Sequence, residues 1–299
     1  MTTEGFTITS DDGDAGSAMA RSVSSSAIRK RISSVFLRGV KFAAVSREQC
    51  INHMMDELKA GRGGTIITLN LDHLRRCETD PTFRSIVDQA EVTVADGMPI
   101  VWACRMQRTP VPQRVAGSDL IDSLSYSAAL RGYSIFLLGG NPGTAQGTAR
   151  LLEERYPRLK IAGWYEPPLG FEQDPQAYTK AIEMVREANP DIVFVALGSP
   201  KQERFIQAAR DGLPQTWWLG IGISFSFLSG EIRRAPKWMQ KCGLEWMHRL
   251  VQEPRRLFKR YIIQGLPFVI KLFFTSLICG IFQRSYSVRG SEPVTAQQE

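Results

Sequence analysis

Short apolar, β-branched runs alternate along this chain with longer stretches whose apolar positions recur every three to four residues. Residues 65–68, 92–95, 134–138, 159–164, 191–197 and 216–220 read as buried strands. Between them, residues 46–60, 81–89, 98–105, 119–131, 144–156, 175–188 and 201–210 carry helical periodicity. Ser46 is placed to cap the first of these helices, whose Cys50, Ile51, Met54, Met55 and Leu58 share one face. Residues 34–37 and 40–42 predict an opening strand or hairpin. Alternation at this spacing predicts an α/β fold with a mostly parallel sheet covered by helices.

The pattern changes beyond residue 230. Residues 261–282 are apolar but interrupted by Gln264, Gly265, Pro267, Lys271 and Gly280. A run of about 20 residues reaches the minimum for a bilayer span. The Lys and Pro favour instead a kinked segment lying in the membrane interface, with a helix packed on the globular body as the further alternative. Charge follows the same boundary. Residues 231–289 hold twelve Lys/Arg against three Glu, so the rest of this +7 chain sums to −2. Trp238, Trp246, Leu250, Leu257, Phe258 and Tyr261 are interleaved with those basic residues. Nucleic acid and an anionic membrane surface are the usual partners of such a segment. Because the aromatic residues run straight into an apolar stretch, lipid fits better than nucleic acid.

Residues 1–30 are rich in Ser, Gly, Asp and Thr without an apolar core, which predicts a disordered extension rather than a secretory signal. The expected organisation is an extension (1–30), an α/β core (31–230), a basic, apolar C-terminal appendage (231–289) and a flexible tail (290–299). Five cysteines without metal-like spacing fit a reducing cytoplasm, and three scattered histidines do not suggest a metal site.

Candidate chemistry collects where strands end, which is where open α/β sheets bind ligands. Thr68 and Asn70 end one strand run and Asp96-Gly97 another. Asn70 and Asp96 would also serve as simple helix caps. Gly139-Gly140-Asn141-Pro142-Gly143 follows a strand and opens a helix, a place suited to a phosphate or to a plain tight turn. Gly198 to Glu203 stands at another strand end, where Gln202 could meet sugar hydroxyls or a uracil edge. Arg114 could pair with a phosphate or hold Asp119, and Gly220 and Gly222 could close a nucleotide pocket. The glycines match neither G-x-G-x-x-G nor a Walker A loop, which argues against a nicotinamide-dependent oxidoreductase. A non-enzymatic basic protein binding nucleic acid or membrane remains as the alternative class.

Read together, Thr-x-Asn, Ala-Asp-Gly, Arg-Val-x-Gly-Ser-Asp-Leu, Gly-Gly-x-x-Gly, Pro-Lys-Gln-Glu and Gly-x-Gly-x-x-Phe occur in that order. Arg234-Ala235-Pro236-Lys237-Trp238, Gly243-Leu244-Glu245-Trp246, Arg249-Leu250, Glu253-Pro254 and Arg260-Tyr261 follow. This set closely resembles the WecG/TagA/CpsF glycosyltransferases, family 26, over roughly residues 35–265. The resemblance implies a Rossmann-like core that moves a sugar, with inversion, from a UDP-sugar to an undecaprenyl-diphosphate-linked saccharide in surface-polysaccharide synthesis. It implies no cofactor and no bound metal, and work at the cytoplasmic face of the inner membrane through a basic, membrane-associating appendage. A homo-oligomer is left open. By the same resemblance Asp96 is the base, and Thr68, Asn70, Arg114 and Gln202 line the pocket. Gly139, Gly140 and Gly143 with Arg114, Arg233 and Arg234 are expected to meet the diphosphate. Ser226 follows Phe225 where the family often carries Asp, which leaves a donor contact there open.

Overall fold

The strands separate their side chains by parity. In the computed structural model, which describes residues 32–289 and the side chains of 32–282, Ile66, Leu137, Phe194 and Trp217 enter one core cluster. Their neighbours Ile67, Phe136, Val195 and Trp218 enter clusters on the opposite side. Alternate residues of a strand point to opposite faces, so a strand apolar at every position must be covered twice. The expected extension over 1–30 and the tail from 290 lie outside the described residues.

The elements run β1 (Ser34–Leu37), β2 (Val40–Ala43), α1 (Arg47–Lys59), β3 (Gly64–Leu69), α2 (Leu71–Thr79), α3 (Pro81–Asp88), β4 (Val92–Ala95), α4 (Met98–Met106) and α5 (Gly117–Arg131). Then come β5 (Ser134–Gly139), α6 (Thr144–Arg155), β6 (Lys160–Tyr165), α7 (Pro175–Ala188), β7 (Ile192–Ala196), α8 (Lys201–Ala209), β8 (Trp217–Gly220) and α9 (Ser224–Leu228). The first two strands form the expected hairpin. The other six form one parallel sheet in the order β4-β3-β8-β7-β5-β6. Ser46 caps α1 through a capping box with Gln49. The sequence pattern did not predict α2, whose Asp72, His73, Arg75, Arg76 and Glu78 leave few apolar positions to mark a face.

Beyond the sheet, α10 (Lys237–Lys241), α11 (Glu245–Gln252) and α12 (Pro254–Phe258) lead through a π-helical stretch, Lys259–Gly265, into α13 (Leu266–Arg289). The helix Pro254–Phe282 is long and apolar enough to cross a membrane, with a mean hydropathy of 1.9 over its most apolar 18 residues. One of its faces nevertheless packs on the globular body. Phe268 and Leu272 join the cluster of Ile100, Val101 and Cys104 from α4. Gly280 lies so close to the Met106 carbonyl that a side chain would not fit, and Lys271 reaches Glu78 at 3.1 Å. The outer face exposes Ile263, Leu266, Ile270, Phe274, Leu277 and Ile281, spaced three or four residues apart.

Candidate active site

Four neighbouring strands, β4, β3, β8 and β7, end at one cavity of about 500 Å³, roofed by α11 and the stretch from Arg256 to Phe273. Thr68 and Asn70 line it from β3, Asp96 and Gly97 from β4, Gln202 from α8, and Gly220 and Gly222 from the end of β8. Sequence positions 68 to 222 thus meet in one place because parallel strands all finish on the same side.

Asp96 and Asn70 divide the roles of cap and site. The Asn70 Oδ1 accepts from the backbone N–H of Asp72 and His73 at 3.0 and 3.1 Å, so Asn70 caps α2. Its amide nitrogen is left over on a residue that lines the cavity. Among the described residues Asp96 caps nothing: the N-cap of α4 is Gly97, with φ of 125°, and no side chain bonds to the first turn. The main chain at Asp96 is fixed by its N–H to the Leu69 carbonyl at 2.9 Å. Burial pushes the carboxyl up to about 7 against the pull of Arg114, with Glu245 and Asp119 adding to the rise and Arg234 opposing it. A carboxylate balanced near neutrality suits general-base work.

Gln202 is held at both ends. Its Oε1 accepts the Gly222 N–H at 3.0 Å and its Nε2 donates to Glu203 at 2.9 Å. Gly220 has no space for a side chain because the Gln202 amide lies against it. Gln202 therefore shapes the β8 exit as well as lining the cavity. Thr68 hydroxyl lies 3.4 Å from the Gly220 carbonyl, on the other side of the same turn. Behind Asn70, His73 is kept neutral: burial lowers its proton affinity, Arg260 lowers it further, and Glu203 and Asp72 oppose.

The cationic wall differs from expectation. Arg114 lines the cavity, pairing with Glu245 at 2.8 Å and Asp119 at 3.2 Å. Arg234 closes a four-membered ring by reaching Asp119 at 2.6 Å and Glu245 at 3.2 Å, but it does not line the cavity. Arg233 is exposed and also stands apart from it. In their place Arg75, Arg249, Arg256 and Arg260 join Arg114, facing only Asp72, Asp96 and Glu245 as acids of the lining. Arg260 pairs with Asp72 at 3.1 Å and Arg249 lies 5.9 Å over the Phe227 ring. Arg256 and Arg260 line the cavity, whereas Arg255 and Lys259 of the same basic run do not. Arg75 escaped notice because α2 did.

The glycine turn also stands apart from the cavity. Gly139, Gly140 and Gly143 end β5, which stands beyond β7 and three strands from β3, on the order of 14 Å away at the usual strand spacing. None of the three lines the cavity. Glu166 already occupies the helix N-terminus there, accepting from the N–H of Gly143, Ala145 and Gln146 at 2.6, 2.7 and 3.2 Å. The carboxylate takes the position a phosphate was expected to take.

Among the described residues no group of three or more His, Cys, Asp and Glu could hold a metal ion. The model of the glycosyl transferase WecG/TagA/CpsF family matches residues 35–279, running past the expected limit near 265 into α13. The N-acetylglucosaminyldiphosphoundecaprenol N-acetyl-beta-D-mannosaminyltransferase of Bacillus subtilis (strain 168) is 34% identical over 194 residues, 65% of this chain and 73% of that relative. With the match covering the sheet, the cavity and most of the helix beside it, the chain belongs to the WecG/TagA/CpsF family of glycosyltransferases.

Proposed function

We propose that this glycosyltransferase moves a hexose or N-acetylhexosamine-type sugar from a UDP-sugar to an undecaprenyl-diphosphate-linked saccharide, with inversion, in bacterial surface-polysaccharide synthesis. The observation that carries this reading is Asp96: an uncapped carboxylate near neutrality in a cavity whose lining holds five arginines. Asp96 accepts the proton of an acceptor hydroxyl as that oxygen attacks the anomeric carbon. The bond from that carbon to the diphosphate breaks on the opposite face, and UDP leaves with the electron pair. Arg114, Arg249, Arg256 and Arg260 meet the negative charge of the diphosphates. The name of the Bacillus subtilis relative supports the lipid-linked acceptor class. The exposed apolar face of α13, with Arg255 and Lys259 exposed near its start, supports peripheral attachment to the cytoplasmic face of the inner membrane.

The test is a panel of UDP-sugars with N-acetylglucosaminyl-diphosphoundecaprenol in detergent. One sugar should be added, with anomeric configuration opposite to the donor's by NMR. Retained configuration, or no transfer from any UDP-sugar by folded protein, would overturn the reading.

A further inference from the structure

The cavity lining combines two chemistries. Besides Asp96 and the five arginines it holds Met98 and Trp102 of α4 together with Ile262, Leu266, Val269 and Phe273 of the covering segment. The two apolar walls come from different parts of the chain and meet where the Trp102 and Phe273 rings pack edge to face, 6.4 Å between centroids. Trp102 has room because position 243 is Gly, whose missing side chain would strike its ring. Ile262 to Phe273 extends the apolar wall by about 16 Å if helical rise applies throughout.

The order of residues along the covering helix matters more than its mean composition. Arg256 and Arg260 come first, then Ile262, Leu266, Val269 and Phe273, all lining the same cavity. A ligand lying along this wall would meet positive charge and then hydrocarbon. Gly265 lines the cavity at the junction, in the π-helical stretch that interrupts regular α-helix. Leu266 both lines the cavity and is half exposed among the outer apolar residues, so the apolar part of the lining is continuous with the outer face of α13.

We propose that the apolar part of this cavity binds the polyprenyl chain of the acceptor at the isoprene units nearest its diphosphate. Met98 and Trp102 form one wall; Leu266, Val269 and Phe273 form the other. The assignment rests on the acceptor class proposed above and deepens it. The diphosphate lies by Arg256 and Arg260, the saccharide reaches Asp96, and the rest of the chain leaves past Leu266 toward lipid. Burying apolar carbon there contributes to acceptor binding, and the charge before it fixes which end of the lipid enters.

Two measurements test this. In the first, the full-length protein is assayed with the undecaprenyl acceptor and with the same saccharide diphosphate bearing an ethyl group. Val269→Trp, which fills the channel from a half-buried position, should lower kcat/KM for the long acceptor by on the order of tenfold or more. The ethyl acceptor should change less than about twofold. An equal loss for both, or no loss for either, overturns the proposal. In the second, a polyprenyl diphosphate carrying a photoreactive group on its first isoprene unit is cross-linked to the wild-type protein in detergent. Label on Met98–Met106 or on residues 266–273 at inward positions supports the channel; label confined to Ile263, Ile270, Phe274 and Leu277 overturns it. This readout needs no turnover, so a failure of the glycosyl-transfer reading would show as absent transfer with the cross-link intact.

Discussion

Arg114 in the core donates to Glu245, 131 residues later, at 2.8 Å. Glu245 begins α11, so this contact fastens the C-terminal region to the cavity wall that Arg114 lines. Arg234 and Asp119 complete the ring, and all four side chains are at least three-quarters buried. The arginine expected to bind substrate is thus already partnered, and its partner also acts on Asp96.

Glu245→Gln should lower stability by about 1–3 kcal/mol, the scale of a charge-assisted hydrogen bond lost in a partly buried place. It should also move the pH profile. Glu245 raises the proton affinity of Asp96 and Arg114 lowers it. Removing the one frees the other, and both changes favour the carboxylate. The acidic limb of kcat/KM should therefore shift to lower pH. An unmoved limb would separate Glu245 from the base.

For Asp96 itself, kcat/KM should rise with pH through about 7, as the base loses its proton. Asp96→Asn should lower turnover by about 10²–10⁴-fold. The same residue should burden the fold. Its carboxyl holds a proton more tightly when folded than in an unfolded chain, where the pKa is about 3.9. Its stabilising contribution is complete below that value and is lost as pH rises through about 7. Asp96→Asn should then raise the melting temperature relative to wild type at pH 8 and have less effect at pH 4. Full activity in the folded Asn variant would remove Asp96 from the reaction.

Asn70 separates cap from site in one pair of variants. Asn70→Ala removes the acceptor for two backbone amides and should cost about 1 kcal/mol. Asn70→Asp keeps that acceptor but loses the Nδ2 donor and adds a charge near Asp96. Melting should be near normal and turnover low in the Asp variant. Equal turnover in Asp variant and wild type would reduce Asn70 to a cap.

Strands β3, β4, β7 and β8 were readable because they are buried along their whole length, which leaves largely apolar runs such as 92–95 and 192–196, whereas the edge strand β6 has no buried position. The convergence of Thr68, Asn70, Asp96, Gln202 and Gly220 followed from their places at strand ends. What the pattern lacks is lateral order. Nothing in residues 134–143 says that β5 lies beyond β7, and so the glycine turn looked like part of the site. Helix α2 was hidden by charge, and with it Arg75 and His73. Arg256 and Arg260 share a short basic run with Arg255 and Lys259; only helical phase and the position of Asp72 divide them.

Glu166 gives that glycine turn its own test. Glu166→Ala should lower stability by about 1 kcal/mol, since a carboxylate leaves a helix N-terminus. The donor KM should stay within about twofold, because the turn does not line the cavity. A large rise in donor KM would return the turn to the substrate site.

The outer face of α13 carries the last prediction. Ile270 and Phe274 are 63% and 65% exposed and one helical turn apart, whereas Phe268 and Leu272 on the same helix are buried in the core. Removing the chain beyond Pro254 would take away all four, together with Arg256 and Arg260, and would mix a folding defect with a binding one. Ile270→Asp with Phe274→Asp changes only the outer face. Inserting each native side chain into a bilayer interface is worth about 1.5–3 kcal/mol at full burial, so losing the pair should weaken vesicle binding by on the order of 10²- to 10⁴-fold. Arg255 and Lys259 add about 1 kcal/mol each near an anionic surface and little at high salt. The double variant should melt like wild type, stay in the supernatant with anionic vesicles, and keep its rate on an ethyl acceptor in solution. Retained sedimentation with vesicles would mean that this face meets something other than lipid.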